Sequence, residues 1–315
     1  MELGYWLSSE EHAPKDLIAN ARAAEDAGFE FALISDHFHP WIDEQGSSPF
    51  VWSVIGGIAA VTERITIGTA VTCPMMRIHP AIVAQAAATS ACLLPGRFFL
   101  GVGTGENLNE HVTGARWPAP DERLEMLEEA VTAMRALWDG GYTTHRGKHY
   151  TVQQARLYTL PDEPPPVVVA AAQERAAELA GRIGDGYMNV APDEEPLKTY
   201  ERSGGKGDKY GKVTGYWSSD RDDALKQAHE RWPNMGLGGS LSQDLALPRD
   251  FEAAAKTVRA EDMEDSLALG DDPEAWVEQI RKFDDAGFTH VGVHHIGDDQ
   301  RGFIDFVRGQ VLPKL

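Results

Sequence analysis

The feature that most constrains the fold is a regular alternation of short apolar runs with helical patterns along the chain. Most of the runs are separated by segments with helical periodicity, and several are continuously apolar, as is typical of parallel strands covered by helices. The predicted strands are Leu3–Leu7, Phe29–Ser35, Ile65–Val71, Phe98–Gly103, Val167–Ala171, Gly186–Val190, Lys212–Trp217 and His290–His294. Eight strands in this alternation predict an α/β fold of the closed (β/α)8 TIM-barrel type.

A short internal similarity supports the barrel. The segments AEDAGFEFALISDH (24–37) and FDDAGFTHVGVHH (283–295) both pass from a helix end through Asp-Ala-Gly-Phe into a strand that ends at histidine. Gly28 and Gly287 stand where a helix needs a left-handed residue at its C-terminal cap. Two such units near opposite ends of the chain are expected for the second and the last units of a barrel.

Two stretches are longer than ordinary connections between strands. Residues 104–166 contain a polar loop, a helix predicted over Arg123–Trp138 and a hairpin followed by prolines, and residues 219–288 contain helices and the loop PNMGLGGSLSQD. Long insertions after barrel strands usually build or cover the active site. We therefore predict one domain, residues 1–315, with insertions at about 104–166 and about 219–288.

The composition restricts the partners. Lys and Arg total 29 against 49 Asp and Glu, a formal charge of −20, which argues against nucleic acid or an anionic membrane as a partner. No apolar run approaches the ~18 to 20 residues that span a bilayer, and the N-terminus lacks the pattern of a signal peptide. Cys73 and Cys92 form no metal-binding or disulfide pattern. We expect a cytoplasmic protein that acts on a small molecule.

Polar side chains follow the predicted strands at the end where barrel enzymes carry their active sites. Strand 2 is followed by Asp36, His37 and Trp41, strand 4 by Glu106, and strand 1 by Glu10. A histidine beside an aspartate at such a position can act as a general base near neutral pH. We therefore interpret His37 as the centre of the candidate site. The alternative is a structural histidine under a loop.

The His37-x-His39 spacing also raises the possibility of a metal site. Barrel hydrolases bind metal through such a pair together with ligands from later strands. Strands 5 and 6 end here in Ala170-Ala171-Ala172 and in Asn189-Val190-Ala191, which offer only a weak ligand. We therefore predict no metal, and we interpret His39 as a support for the loop.

Two further features belong to the same rim. GVGTGE (101–106) lacks the spacing of a dinucleotide-binding motif, and its glycines indicate close approach of the backbone to a flat ligand. Arg77 follows strand 3, where it would either meet an anionic cofactor tail or form a surface ion pair.

At these residues the chain resembles the luciferase-like superfamily, and within it the coenzyme F420-dependent glucose-6-phosphate dehydrogenase group. The resemblance rests on SDHFHPW (35–41), GTAVTCP (68–74), FFLGVGTGENLNE (98–110), AGRIGDGY (180–187) and DDQRGFIDF (298–306), which occur in the same order over nearly the whole chain. It implies a barrel, a homodimer and the deazaflavin coenzyme F420 bound at the C-terminal rim.

The resemblance also implies roles for individual residues. His37 resembles the base that takes the proton of the substrate hydroxyl while hydride passes to C5 of the deazaflavin. Trp41 resembles a residue that shapes the site, Glu106 the acid that protonates the reduced ring, and Glu10 a further carboxylate near the substrate. The positions that correspond to the lining of the deazaflavin are Asp36, Ala70, Val71, Asn109, Ala170, Ala171 and Ala172. The Ala70–Val71 bond corresponds to a non-prolyl cis peptide.

One departure from this group concerns the substrate. Asp193 and Ser266 stand where basic side chains would bind the phosphate of a sugar phosphate, and a carboxylate repels phosphate. Lys198, Lys256 and Arg259 would compensate only with a different fold of the insertion. We therefore expect a dehydrogenase acting on a neutral or secondary alcohol. The alternatives are a sugar-phosphate dehydrogenase, a flavin mononucleotide-dependent monooxygenase of the same superfamily, and a cofactor-binding protein without catalysis.

Overall fold

The computed structural model describes all 315 residues and contains the predicted closed barrel. The eight predicted strands form a parallel ring in the order β1, β2, β3, β4, β7, β8, β9 and β11, and β11 pairs with β1 to close it. The strands are β1 (Glu2–Leu7), β2 (Phe31–Ile34), β3 (Thr66–Thr69), β4 (Phe98–Val102), β5 (Thr143–Arg146), β6 (Thr151–Ala155), β7 (Val167–Ala170), β8 (Gly186–Met188), β9 (Lys209–Tyr216), β10 (Leu267–Leu269) and β11 (His290–His295).

Helices connect the strands and cover the outside of the ring. They are α1 (Pro14–Ala27), α2 (Val51–Ala59), α3 (Pro80–Leu93), α4 (Asn107–Glu110), α5 (Pro120–Trp138), α6 (Glu174–Ile183), α7 (Glu194–Arg202), α8 (Arg221–Arg231), α9 (Leu241–Asp244), α10 (Pro248–Ala255), α11 (Pro273–Asp285) and α12 (Gln300–Phe306). None of them combines the length and the apolar character that crossing a membrane requires. The predicted helix caps are confirmed, since Gly28 and Gly287 have φ values of +91° and +94°.

Two apolar layers hold the barrel together. A cluster of 61 buried residues fills the space between the strands and the helices. A smaller cluster lies on the inward faces of the strands and consists of Trp6, Phe31, Leu33, Phe99, Val168, Met188 and Tyr210. Because side chains alternate across a strand, the remaining inward positions nearer the C-terminal ends are free to carry polar groups.

The two long insertions contain different secondary structure. The first contains α4, α5 and the antiparallel β5–β6 hairpin, which the sequence predicts. The second contains α8, α9, α10 and a ninth parallel strand, β10, which pairs with the end of β9 and which the sequence analysis does not predict. The strand predicted over Lys212–Trp217 begins earlier, at Lys209, so Lys212 lies in the middle of β9 and not at its start.

Candidate active site

The site is centred on His37, which follows β2 at the C-terminal end of the barrel. Its Nε2 atom lies 3.4 Å from Oε1 of Glu10 and 3.5 Å from Oε2 of Glu106. Its Nδ1 atom lies 3.2 Å from the carbonyl oxygen of His39. Because a carbonyl only accepts hydrogen bonds, Nδ1 carries a hydrogen in this arrangement and Nε2 is the atom that exchanges a proton. The structure therefore brings together three of the predicted catalytic residues.

Glu10 is a buried carboxylate that is held ionised. Oε2 accepts hydrogen bonds from the hydroxyls of Ser35 at 2.6 Å and Ser8 at 3.1 Å. Burial raises the pKa of Glu10, but His37, the Ser35 hydroxyl and Lys212 together outweigh it and hold that pKa below its ordinary value. Glu10 therefore places a negative charge beside Nε2 of His37.

The pKa of Glu106 is shifted in the opposite direction to that of Glu10. Burial raises its pKa, the charge of Glu10 acts in the same direction, and His37 and Asn109 only partly oppose them. Two carboxylates that approach the same imidazole nitrogen thus differ in their affinity for a proton, and such a pair is typical of an acid and a base with separate tasks. Glu106 is the one that retains a proton more readily.

Asn109 and Trp41 fix the position of these groups. The Asn109 amide donates to Oε2 of Glu106 at 2.9 Å, while its Oδ1 atom accepts from the backbone N–H groups of Phe38 at 2.8 Å and His39 at 3.2 Å. The Trp41 ring packs 5.0 Å from the His37 ring, between centroids. One side chain therefore links the loop after β2 to the segment after β4, and an indole ring limits the movement of the imidazole.

A cleft of about 220 Å³ opens beside His37 and Glu106. All of the positions predicted to line a deazaflavin also line this cleft, namely Asp36, Ala70, Val71, Asn109, Ala170, Ala171 and Ala172. The peptide bond between Ala70 and Val71 is cis, which confirms the prediction for that bond. Glu10 and Trp41 lie behind His37 and are not part of the lining.

The cleft is built for a flat ligand. Small side chains, Gly103 and Gly105 form part of its walls, and a Cβ atom at Gly103 would lie 2.7 Å from Val71. Asn189 is buried in the same lining, and its amide nitrogen has no hydrogen-bond partner within the chain. Because buried polar atoms are normally hydrogen-bonded, this amide is available to an acceptor atom of a ligand. The lining thus suits a planar ring system that carries oxygen acceptors.

Arg77 differs from both sequence-based interpretations. Its side chain is only 7% exposed and its Nη2 atom donates to Oδ1 of Asp36 at 2.8 Å, so it is neither a free cation on the rim nor part of a surface ion pair. Oδ2 of Asp36 accepts from the Thr72 hydroxyl at 2.7 Å. This buried pair anchors the loop that carries His37 to the segment after β3.

The second histidine of the His-x-His pair has a structural contact. Its Nδ1 atom lies 2.9 Å from the carbonyl oxygen of Leu108, and its ring stacks on His111. No cluster of three or more histidine, cysteine, aspartate or glutamate side chains has the geometry of a metal site. His39 therefore supports the loop, in agreement with the sequence interpretation.

Several residues of the site are not predicted from the sequence. Trp6 and Met188 line the cleft from the inward faces of β1 and β8, and Gln243 reaches it from α9 in the second insertion. The two strand residues are inward-facing members of predicted strands, so alternation along the strand is a signal that identifies them. No local signal identifies Gln243, because its position depends on how the insertion folds back.

The sequence is similar to those of known proteins. Residues 1–290 match the family model described as luciferase-like monooxygenase. The chain is 36% identical to the F420-dependent glucose-6-phosphate dehydrogenase of Nocardia farcinica and 37% identical to that of Intrasporangium calvum, over 100% of this chain and 98% and 99% of theirs.

Solved structures of related proteins have the same fold as this chain. An F420-dependent secondary alcohol dehydrogenase in complex with an F420-acetone adduct superposes with a TM-score of 0.93 at 30% identity, over 99% of this chain and 98% of that one. The coenzyme F420-dependent tetrahydromethanopterin reductase of Methanopyrus kandleri shares the fold, with a TM-score of 0.81 at 22% identity, over 100% of this chain and 99% of that one. The chain therefore belongs to the luciferase-like monooxygenase family.

Proposed function

We propose that this protein is a coenzyme F420-dependent dehydrogenase that transfers a hydride between the carbon of an alcohol and C5 of the deazaflavin. The observation that carries the proposal is the position of His37 Nε2, which lies close to a carboxylate with a lowered pKa and to one with a raised pKa, beside a cleft lined in part by alanines and glycines. The names of the relatives at 30% to 37% identity support it.

His37 has the role of the base in this proposal. Removal of hydride from an alcohol carbon becomes easier as the hydroxyl loses its proton, so a base within hydrogen-bond reach is needed. Nε2 takes that proton, and the charge of Glu10 stabilises the imidazolium that results. Trp41 keeps the ring in place.

Glu106 holds a second proton at the wall of the cleft. Its raised pKa lets it act as an acid, and the Asn109 amide fixes the carboxyl group that carries the proton. The coenzyme, when bound, supplies the hydride acceptor or donor. Asp36, Ala70, Val71, Asn109, Ala170, Ala171 and Ala172 would hold its ring, and the free amide of Asn189 would meet one of its oxygens.

A neutral alcohol fits the surroundings of the site better than a sugar phosphate. Lys198 pairs with Glu194 at 2.6 Å and Arg259 pairs with Asp262 at 2.6 Å, so two of the three cations that would replace the phosphate site are already neutralised. The Ser266 hydroxyl donates to the carbonyl oxygen of Met263 within its own segment. A dianionic phosphate would find little positive charge there.

A spectroscopic assay tests the proposal. The purified protein is mixed with oxidised coenzyme F420, and the absorbance of the coenzyme is followed with propan-2-ol and, separately, with glucose 6-phosphate. We expect bleaching with the alcohol and none with the sugar phosphate. Bleaching with the sugar phosphate would refute the substrate assignment. No binding of F420, together with binding of flavin mononucleotide, would refute the proposed function and favour the monooxygenase.

We also propose that two copies of the chain form a homodimer through the outer faces of α2 and α3. Phe50, Ile82 and Leu93 are each more than half exposed on this face, and no charged side chain lines the groove between them. Two copies that each carry a formal charge of −20 associate most readily where charge is absent. Light scattering should give the mass of a dimer, and Ile82→Glu should give a monomer. A monomeric parent protein would contradict this assignment.

A further inference from the structure

A lysine lies inside the barrel, below the candidate active site. Tyr210 on β9 belongs to the cluster inside the barrel, while Val213 belongs to the core outside it. Lys212 is two residues after Tyr210 and therefore lies on the same inward face, one layer closer to the C-terminal end. It stands opposite Gly292 of β11 in the register of the sheet.

The ammonium group of Lys212 is enclosed by aromatic rings. Nζ lies 4.1 Å from the centroid of the Trp6 ring and 5.2 Å from that of Trp232. It forms no hydrogen bond and no ion pair within the chain, although Glu10 and Glu11 are near enough to attract it. Burial lowers the pKa of Lys212 to about 8, and the two glutamates only partly offset this effect. Its three N–H donors thus have no acceptor on the protein.

Two polar atoms near Lys212 also lack hydrogen-bond partners. Nε1 of Trp6 is buried without a hydrogen-bond partner, and so is Nδ1 of His294, whose Nε2 atom contacts Glu11 at 2.8 Å. The Trp6 ring is shared, since it lines the cleft beside His37 and also covers Lys212. Lys212 and the Trp6 indole thus both carry N–H donors without an acceptor on the protein, as is expected where a ligand supplies the acceptor.

The charges in this region identify the kind of acceptor. Glu10 is ionised and offsets the charge of the Lys212 ammonium, so the two groups together carry no net charge. A carboxylate or a phosphate on the substrate would add a charge next to Glu10 and Glu11 and would be repelled. A hydroxyl or ether oxygen adds no charge and still accepts a hydrogen bond from an ammonium group.

We propose that Lys212 is a specificity-determining residue that donates a hydrogen bond to a second, neutral oxygen of the substrate, so that diols and other polyhydroxylated alcohols are preferred over simple alcohols and over anionic ones. This inference rests on the proposed function, because it assigns the substrate class of the same site. The reacting hydroxyl contacts His37, and the second oxygen contacts Lys212. Trp6 forms the wall between the two positions.

The test compares propane-1,2-diol with propan-2-ol, which differ by one hydroxyl. With coenzyme F420, the parent protein should show a kcat/KM for the diol about 10-fold or more above that for the simple alcohol, since a hydrogen bond to a charged group contributes this much. Lys212→Met retains the packing against the two indoles and should lose that preference. Lys212→Arg keeps a charged donor and should retain part of it. Lys209→Met is the matched control, because Lys209 is on the same strand but pairs with Glu201 outside the site.

Each outcome of this test either supports or refutes the role of Lys212. No diol preference in the parent protein, or an equal fall for both alcohols in Lys212→Met, overturns it and leaves Lys212 as an electrostatic support for Glu10. If no alcohol is oxidised at all, the proposed function fails, and binding of the diol is then measured by tryptophan fluorescence, because Trp6 and Trp232 flank Lys212. A diol-dependent change that Lys212→Met abolishes still supports the role of Lys212, and a change equal in both proteins, or none, refutes it.

Discussion

The buried pair between Asp36 and Arg77 leads to a quantitative prediction for Asp36→Asn. The Asp36 side chain is fully buried and the Arg77 side chain nearly so, and their closest atoms are 2.8 Å apart. At an effective dielectric constant of about 20, unit charges at this distance attract each other by about 6 kcal/mol. The substitution removes the attraction and leaves a buried guanidinium beside Glu110 alone, at 3.5 Å.

We expect Asp36→Asn to lower the free energy of unfolding by about 3 kcal/mol, the lower end for breaking a buried ion pair. The lower end applies because the amide oxygen retains one of the two hydrogen bonds and because Glu110 takes over part of the charge compensation. Equilibrium unfolding in urea at pH 7 measures the change. Since the pair is buried, the change should be nearly independent of added salt.

Two variants serve as controls for this measurement. Asp305→Asn breaks an exposed pair with Arg308 at 2.9 Å and should cost at most about 1 kcal/mol. Glu110→Gln keeps an oxygen that can accept from the backbone N–H of Arg77, as Glu110 does at 2.8 Å, and should also cost little. A loss for Asp36→Asn no larger than that for Asp305→Asn, or a loss that disappears at high salt, would refute the reasoning.

Three further predictions concern the site and its scaffold. His37→Ala should lower kcat by about 100-fold or more, the usual contribution of a general base, with little change in the Kd of the coenzyme, and a variant with full kcat would exclude His37 as the base. Glu106→Gln should also lower kcat, yet its Tm at neutral pH should exceed that of the parent protein. The raised pKa of Glu106 means that its contribution to stability is present at low pH and is lost as the pH rises through that pKa, so the difference in Tm should vanish in acid. Glu25 accepts hydrogen bonds from three backbone N–H groups, which outweigh the effect of burial and lower its pKa. Its contribution is present above its ordinary pKa and is lost as the pH falls through the lowered value, so Glu25→Ala should cost about 3 kcal/mol in urea unfolding at pH 7 and progressively less as the pH is lowered, and a cost independent of pH would contradict this account.

The barrel is predictable from the sequence because each of its strands has a recognisable local sequence pattern. Continuous apolar runs, and the Asp-Ala-Gly-Phe units with Gly28 and Gly287 at the helix ends, predict all eight strands of the ring. Strand β10 is not predicted, because Leu267–Leu269 is only three residues long and follows an acidic segment. Such a strand is stabilised by pairing with the end of β9 and has no strong pattern of its own.

The candidate site is predictable where residues follow strands and less so where side chains meet inside the barrel. His37, Glu10 and Glu106 come from three strand ends that the barrel brings to one rim, and resemblance to a family adds their expected roles. The partners of Arg77 depend on the packing of a loop, which no local pattern records. The sequence predicts Lys212 as the first residue of a strand, and only the full length of β9 shows that it lies inside the barrel.

The transfer of isotope from alcohol to coenzyme tests the central claim most directly. The protein is incubated with oxidised coenzyme F420 and propan-2-ol that carries deuterium on its second carbon, and the coenzyme is then examined by mass spectrometry. The proposed function predicts that the reduced coenzyme contains one deuterium from the alcohol and that His37→Ala transfers it far more slowly. Reduced coenzyme without deuterium, or equal transfer by both proteins, would contradict direct hydride transfer assisted by His37.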